Sequence, residues 1–382
     1  MEKICVLATD MKPPWAEGIK NNMFNIGKGL SKRFQVFYLG LSDQTGVSRL
    51  GESRSYTLKS PLFKTKVERW FYPVGALNTV NQAQTILKKE KPDIILSGLE
   101  SASMGLMASL ISRRYKRAAH IQIVTGDWYS FRRTPPKIFL AEELPHLLFI
   151  NRRVSKLGML GADKIIATSQ YMKRRIERLG FENVSFVPNG VDTKRFKRDW
   201  TLRSDHKEDF VISYVGHLTY VKGASLLLKA FVRLRKRVDS KLLLATTFGS
   251  EEWVNRWAAK SKGIELSGIV EPERLYNSSD VFALPRRRSY GTITYPNVIL
   301  EAMSCGTPPV TSNLPGMSEL IKDGDNGFLC EPDSEESLYE KISYIANNMQ
   351  LVKRASARAT EAMKAFDWKI ITKKIEREIN EV

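Results

Sequence analysis

Tyr295-Pro296-Asn297-Val298-Ile299-Leu300-Glu301-Ala302-Met303-Ser304-Cys305-Gly306-Thr307-Pro308 is the stretch that decides how this chain folds. Tyr295 closes an irregular run, and Pro296 has the fixed φ suited to a helix's first turn. Val298 to Ser304 follow as helix, until Gly306 and Pro308 end it. Pro309 to Thr311 then read as the next strand. The same grammar recurs upstream, where Ser213-Tyr214-Val215 end a strand and Gly216 turns the chain. Lys222-Gly223 there lead into the apolar-rich helix Ala224 to Val232.

Working outward, short apolar runs alternate with helical patterns along the whole chain. Strands are expected at Ile4 to Ala8, Val36 to Leu39, Ile94 to Leu96, Ile121 to Thr125, Lys164 to Thr168 and Val184 to Val187. A second series runs Phe210 to Tyr214, Lys241 to Ala245, Ile264 to Leu266, Val281 to Leu284, Pro309 to Thr311 and Gly327 to Leu329. Helical patterns such as Asn21 to Ser31, Val80 to Lys89, Ser103 to Ser112 and Gln170 to Leu179 fall between strands, which predicts parallel sheets wrapped by helices. The fold class is therefore α/β, with two doubly wound domains. They meet near Pro188-Asn189-Gly190-Val191-Asp192, where Asn-Gly marks a turn. The expected domains are 1–190 and 191–367. A final helix, 368–382, carries Ile371, Ile375 and Ile379 at helical spacing, and periodicity alone does not say which domain it covers.

A chain of 382 residues suits two domains, since single cores stop growing near ~250–300 residues. Hydrophobic residues make up 42%, enough for a sizeable core, which excludes a disordered basic tail. Cys5, Cys305 and Cys330 lie far apart, and an odd count without a C-x-x-C pair points to a reduced, cytoplasmic setting. Ile4 to Ala8 is shorter than the roughly 7–15 residues of a signal-peptide core. No apolar run reaches the ~18 residues of a membrane span.

Lys and Arg number 60 against 41 Asp and Glu, a formal charge of +19. Residues 1–190 hold 30 of the cations against 15 acids, so the basic surface belongs to the first half. A solvated basic face, an anionic membrane or a phosphorylated acceptor each fit this charge, and no nucleic-acid motif accompanies it. Peripheral attachment to the inner membrane face stays open. The sequence fixes no oligomeric state.

Several residues have types and positions that suit phosphate or sugar chemistry. The helix start at Asn297 and Val298 offers free N–H groups to a diphosphate, and Glu301 one turn on could accept hydrogen bonds from a ribose diol. A plain surface Glu is the alternative. Gly216 and Lys222 form a second such start, with Lys222 as a point charge; a solvated loop is the alternative. Gly18, after the first strand in Pro13 to Asn21, allows close backbone approach, and Asp127 follows the strand Ile121 to Thr125. Helix capping would explain Asp127 equally well. No Ser-His-Asp array, P-loop or zinc or calcium spacing is present, so neither a metal nor another cofactor is expected.

Taken together, these segments resemble glycosyltransferase family 4. The carriers are the loop Pro14 to Asn21, Lys91-Pro92-Asp93, Ala167-Thr168-Ser169 and Pro188 to Asp192. Further on come Gly216 to Gly223, Pro296 to Pro308, Leu314-Pro315-Gly316 and Asp323 to Leu329. The resemblance implies a GT-B fold of two Rossmann-like domains facing across a cleft. It implies an acceptor-side first domain onto which 368–382 packs back, and a donor-binding second domain. It implies an enzyme that moves a hexose with retention from UDP- or GDP-hexose to a hydroxyl, including that of a lipid-linked or phosphorylated glycan precursor. Glu301 would bind the donor ribose and Lys222 the diphosphate, with Asn297 and Val298 completing the phosphate site. Gly18 and Asp127 would border the sugar.

Three positions depart from the family pattern. Ile293 stands where the first Glu of a spaced pair belongs, His217 replaces an Arg and Gly126 replaces a His. His217 could still donate to phosphate, and Arg286, Arg287, Arg288, Thr292 or Thr294 could supply charge or hydroxyls. The rival reading is a catalytically weak or inactive sugar-nucleotide-binding protein. A phosphorylase of the same fold is a further alternative, though no cofactor-lysine motif supports it.

Overall fold

Strands built from continuous apolar residues need cover on both faces, and each half of the chain supplies it. The computed structural model describes residues 1–9, 11, 18–60, 72–99, 102–126, 152–199, 201–202, 209–246, 256–257, 259, 261–267, 271–289 and 293–382. The chain divides into two units. One comprises Met1–Asn189, Tyr290–Thr294 and Lys369–Val382, the other Gly190–Ser289 and Tyr295–Trp368.

The first unit contains β1 (Lys3–Thr9), β2 (Gln35–Ser42), β3 (Gly46–Leu50), β4 (Ser53–Lys59), β5 (Ile94–Leu99), β6 (Ala119–Val124), β7 (Lys164–Ala167) and β8 (Val184–Phe186). Their order is β3-β4-β2-β1-β5-β6-β7-β8, parallel except for the β3–β4 pair. The connecting helices are α1 (Gly18–Leu30), α2 (Tyr72–Glu90), α3 (Ala102–Tyr115), α4 (Arg152–Met159) and α5 (Gln170–Glu177). Leu7, Leu39 and Ile95 from the sheet pack against Leu87 of α2 and Met107 and Ile111 of α3. Asp93 pins the start of β5 by accepting the Lys3 N–H at 2.8 Å, and Ser169 caps α5 by accepting the Met172 N–H at 3.1 Å. Two of the short polar phrases in the sequence thus have structural work. The β3–β4 hairpin is absent from the expected strands because neither strand is an apolar run: β3 is an exposed edge strand, and β4 is largely polar, Ser53-Arg54-Ser55-Tyr56-Thr57-Leu58.

The second unit contains β9 (Phe210–Val215), β10 (Ser240–Ala245), β11 (Ile264–Ser267), β12 (Val281–Leu284), β13 (Pro309–Ser312) and β14 (Phe328–Cys330), in the order β11-β10-β9-β12-β13-β14, all parallel. Its helices are α6 (Ala224–Leu234), α7 (Pro272–Asn277), α8 (Asn297–Ser304), α9 (Met317–Leu320), α10 (Glu335–Ala346) and α11 (Met349–Met363). The helix α8 ends as its sequence dictates. Gly306 takes φ 72°, its N–H bonds to Met303 and that of Thr307 to Ala302, so left-handed glycine satisfies the last carbonyls.

The last helix, α12 (Trp368–Asn380), begins in the second unit and continues in the first. Trp368 lies so close to Gly190 that a Cβ there would stand 2.5 Å from its ring. Beyond it Ile371, Ile375 and Ile379 are buried, Glu376 pairs with Arg33 at 3.1 Å and Glu378 with Lys164 at 2.7 Å. Ile293 and Thr294 lie within the span expected for the second domain, yet they belong to the first unit. Ile293 bridges Gly126, and the Thr294 N–H reaches the Thr125 carbonyl at 2.9 Å. Cys5, Cys305 and Cys330 are free and buried. Among the described residues, no helix is long and apolar enough to cross a membrane.

His120 on β6 is fully buried. Nδ1 lies 2.9 Å from the Gly161 carbonyl, which only an N–H can satisfy, so Nε2 accepts from Ser97 Oγ at 2.8 Å. Burial lowers its pKa below 6.5. The unfolded chain therefore takes up this proton first as pH falls, and stability present above about 6.5 declines below it. Denaturant titrations across this range should show that loss. His120→Ala should cost about 2–3 kcal/mol at neutral pH, because Ser97 and Gly161 lose their partner.

Candidate active site

In a doubly wound sheet, ligands gather at the carboxyl ends of the strands where the winding reverses. In the second unit the chain passes from β9 outward to β10 and β11, then returns to β12 on the other side of β9. The reversal point is therefore flanked by the residues after β9 and after β12. Gly216 to Gly223 form the first of these loops, and Pro285 to Ser289 the second.

The two loops are fastened together. The Arg287 N–H donates to the Val221 carbonyl at 2.9 Å. Gly223, at φ 74°, leaves so little space that a Cβ would meet the Pro285 carbonyl oxygen at 1.8 Å. The Tyr214 hydroxyl and the Thr219 N–H both donate to the His217 carbonyl, at 2.7 and 2.9 Å, which fixes the course of the loop. Gly216 takes φ 141°, and a Cβ built on it would lie 3.5 Å from Lys222 Nζ. The ammonium group is thus folded back over the glycine at the strand end.

These constraints collect positive charge. Burial and the neighbouring Arg286 guanidinium lower the Lys222 pKa to about 8. Burial lowers Arg286, only 2% exposed, to about 10. His217 is lowered by burial and by Lys222. Among the described residues no carboxylate pairs with Lys222. Positive groups lowered mainly by burial, with Arg286 acting on Lys222 and Lys222 on His217, are a candidate for holding an anion.

The α8 segment contributes a carboxyl group. Asn297 is buried and Val298 half-buried at the helix start, and Glu301 lies half-buried one turn on. Tyr276 donates its hydroxyl to Glu301 Oε2 at 3.2 Å. Its own ring is held edge-on to Phe282, 5.4 Å between centroids, and its carbonyl accepts from Thr307 Oγ1 at 2.7 Å. Arg195 grips Glu273 through two bonds, at 3.0 and 2.9 Å, and its charge also reaches Glu301. Burial pushes the Glu301 carboxyl up to about 7, against the lowering effects of Tyr276 and Arg195. Sequence reading offered Arg286 as one of three candidate arginines but passed over Tyr276 and Arg195, because nothing local marks them. Their only signal is tertiary contact.

Other expected site residues fall differently. Arg287 is ion-paired with Asp333, bonded to Ser225 Oγ at 3.0 Å and stacked over Tyr220 at 4.2 Å. Thr294 is 2% exposed and donates its hydroxyl to the Thr125 carbonyl at 3.2 Å. Arg288 is half-buried on the β12 loop. Gly18 opens α1 in the first unit, after β1, and Asp127 and Thr292 lie outside the described residues. No cluster of His, Cys, Asp or Glu able to hold a metal occurs among the described residues.

Residues 17–195 match the family model described as Glycosyltransferase Family 4, and residues 209–348 match that described as Glycosyl transferases group 1. The chain belongs to glycosyltransferase family 4. It is 26% identical over 290 residues, 70% of either chain, to the capsular polysaccharide biosynthesis glycosyltransferase CapM of Staphylococcus aureus. In fold it is similar to sucrose-phosphate synthase of Thermosynechococcus elongatus, with TM-score 0.82 and 17% identity over 100% of this chain and 99% of that one. Anabaena HepE, solved with UDP-glucose, gives TM-score 0.74 and 19% identity over 100% of both chains. The fold class is GT-B and the protein is a glycosyltransferase.

Two outcomes follow from the charge cluster. Lys222→Met should raise the melting temperature of the ligand-free protein, because it removes a repelling charge, while abolishing the thermal shift caused by inorganic pyrophosphate. Gly223→Ala should weaken that shift at least tenfold in ligand concentration, since the β12 loop must move away from the β9 loop to admit the methyl group.

Proposed function

We propose that the protein transfers a hexose from a nucleoside diphosphate hexose, with uridine or guanosine as the nucleoside, to a hydroxyl acceptor with retention of configuration. The observation that carries the donor class is the buried cation cluster of Lys222 and Arg286 at the reversal point of the second sheet. HepE, of similar fold, is solved with UDP-glucose. As the bond between the sugar's anomeric carbon and the diphosphate oxygen breaks, negative charge grows on the leaving group. In this reading Lys222, Arg286, the His217 ring and the N–H groups at the start of α8 meet that charge, so preorganised dipoles and charges stabilise the transition state. The anomeric carbon bonds to the acceptor oxygen on the same face, and the acceptor proton passes to the departing phosphate. This route asks for no protein base and takes its counter-charge from side chains. Glu301 accepts hydrogen bonds from the ribose diol.

Ile293 and Gly126 motivate the second reading, a sugar-nucleotide-binding protein without turnover. The first Glu and the His of the family pattern are missing there, and the two residues bridge each other in the first unit. Incubation with UDP- and GDP-hexoses decides between the two readings. Nucleotide release with a glycosylated product of unchanged anomeric configuration supports transfer. Tight binding with no release from any donor supports the alternative. Glu301→Ala should weaken nucleotide-sugar binding about tenfold to a hundredfold by calorimetry, the value of a charge-assisted hydrogen bond.

The pH dependence of donor binding has a definite sign. The diphosphate of a nucleotide sugar does not titrate near neutrality, so the protein's groups set the profile. Below about 7 Glu301 becomes protonated and loses acceptor capacity; above about 8 Lys222 loses its charge. Affinity should therefore peak between these values. Glu301→Gln should remove the acid limb. Lys222→Arg, always charged, should remove the alkaline one.

A further inference from the structure

On the first unit, α3 and α4 pack against each other. Gly161, just after α4, sits so close to α3 that a Cβ there would meet Ser109 Oγ at 2.1 Å and Arg113 Nε at 3.1 Å. Lys156 of α4 in turn reaches toward Gly180, after α5, with Nζ 3.9 Å from a Cβ built there. The three helices therefore form one continuous surface. Leu110 of α3 is 42% exposed, and Leu157 and Leu160 at the end of α4 are 50% and 48% exposed. A single exposed Leu means nothing. Three on adjoining helices make a patch.

The leucines are set among exposed cations: Arg113 and Arg114 beside Leu110, Lys156 beside Leu157, and Arg174 and Arg178 on α5. The exposed acid on α5, Glu177, is already paired with Lys173 at 2.8 Å. Apolar side chains ringed by Lys and Arg are what an interface with anionic lipid requires, the apolar groups sinking below the headgroups while the cations meet the phosphates. A second copy of the chain apposed through the same patch would set arginine against arginine.

We propose that the α3–α4–α5 face of the first unit docks on an anionic lipid bilayer, with Leu110, Leu157 and Leu160 entering the headgroup layer. The inference is independent of the donor chemistry proposed above, because vesicle binding needs no turnover. It gives the +15 balance of residues 1–190, 30 cations against 15 acids, a specific location.

Co-sedimentation of the full chain with phosphatidylcholine vesicles, with and without phosphatidylglycerol, over a salt series tests it. Binding should require phosphatidylglycerol and weaken as salt rises. Leu157→Gln with Leu160→Gln leaves the charge unchanged and should lower partitioning about tenfold or more. Arg113→Gln with Arg114→Gln should lower it about twentyfold at low salt. Lys236→Gln with Arg237→Gln, an equal charge change just after α6 in the second unit, should leave it unchanged. All variants must keep the wild-type melting curve and donor-induced thermal shift. Equal binding to both vesicle types, or to neither, overturns the proposal. So does full binding by the leucine variant, a comparable loss in the second-unit control, or a fall in solution mass from dimer to monomer when the leucines are replaced.

Discussion

Lys222 and Arg286 are held near each other at the strand ends of the second sheet, with His217 beside them and with no carboxylate paired to Lys222 among the described residues. Like charges brought out of water raise the free energy of the folded state, so such a cluster persists only if the surrounding backbone gives the side chains no alternative. Here that backbone is the pair of loops joined by the bond from Arg287 to Val221 and by the contact of Gly223 with Pro285. The winding of the sheet requires these two loops to be neighbours. The position of this charge cluster is therefore a consequence of topology.

The carboxyl group at Glu301 is tuned in the opposite sense. Burial favours its neutral form, while the Tyr276 hydroxyl and the Arg195 charge favour the ionised one, and the result lies close to neutrality. A group so balanced responds to a ligand as well as to solvent. Hydrogen-bond donors from a bound diol would shift it toward the carboxylate, and a bound diphosphate would draw Lys222 toward the ammonium form.

The first unit has a different character. Its sheet is closed off by a polar hairpin at one edge, the buried His120 is partnered by Ser97, and the exposed Asp93 accepts the Lys3 N–H. Its basic residues lie on the outside, on helices whose exposed leucines interrupt the charge. The second unit buries Arg286 beside Lys222 at its strand ends, while the first carries exposed cations around its exposed leucines.

Much of this was legible in the sequence. Apolar runs of strand length alternating with helical periods determine two parallel α/β layers, because such strands must be covered on both faces. Gly306, Gly223 and Gly216 mark turns whose positive φ other residues resist. Lys222 and Glu301 were legible because each sits at a helix that a strand and a turn precede. Tyr276 and Arg195 were not, and Arg286 stood out from its two arginine neighbours only once the sheet buried it. Nor were the fates of Arg287 and Thr294, whose partners Asp333 and Thr125 are far away in the chain. Periodicity and turn chemistry are local and are written residue by residue. Burial and charge coupling belong to pairs of segments, and only the folded chain decides which segments meet.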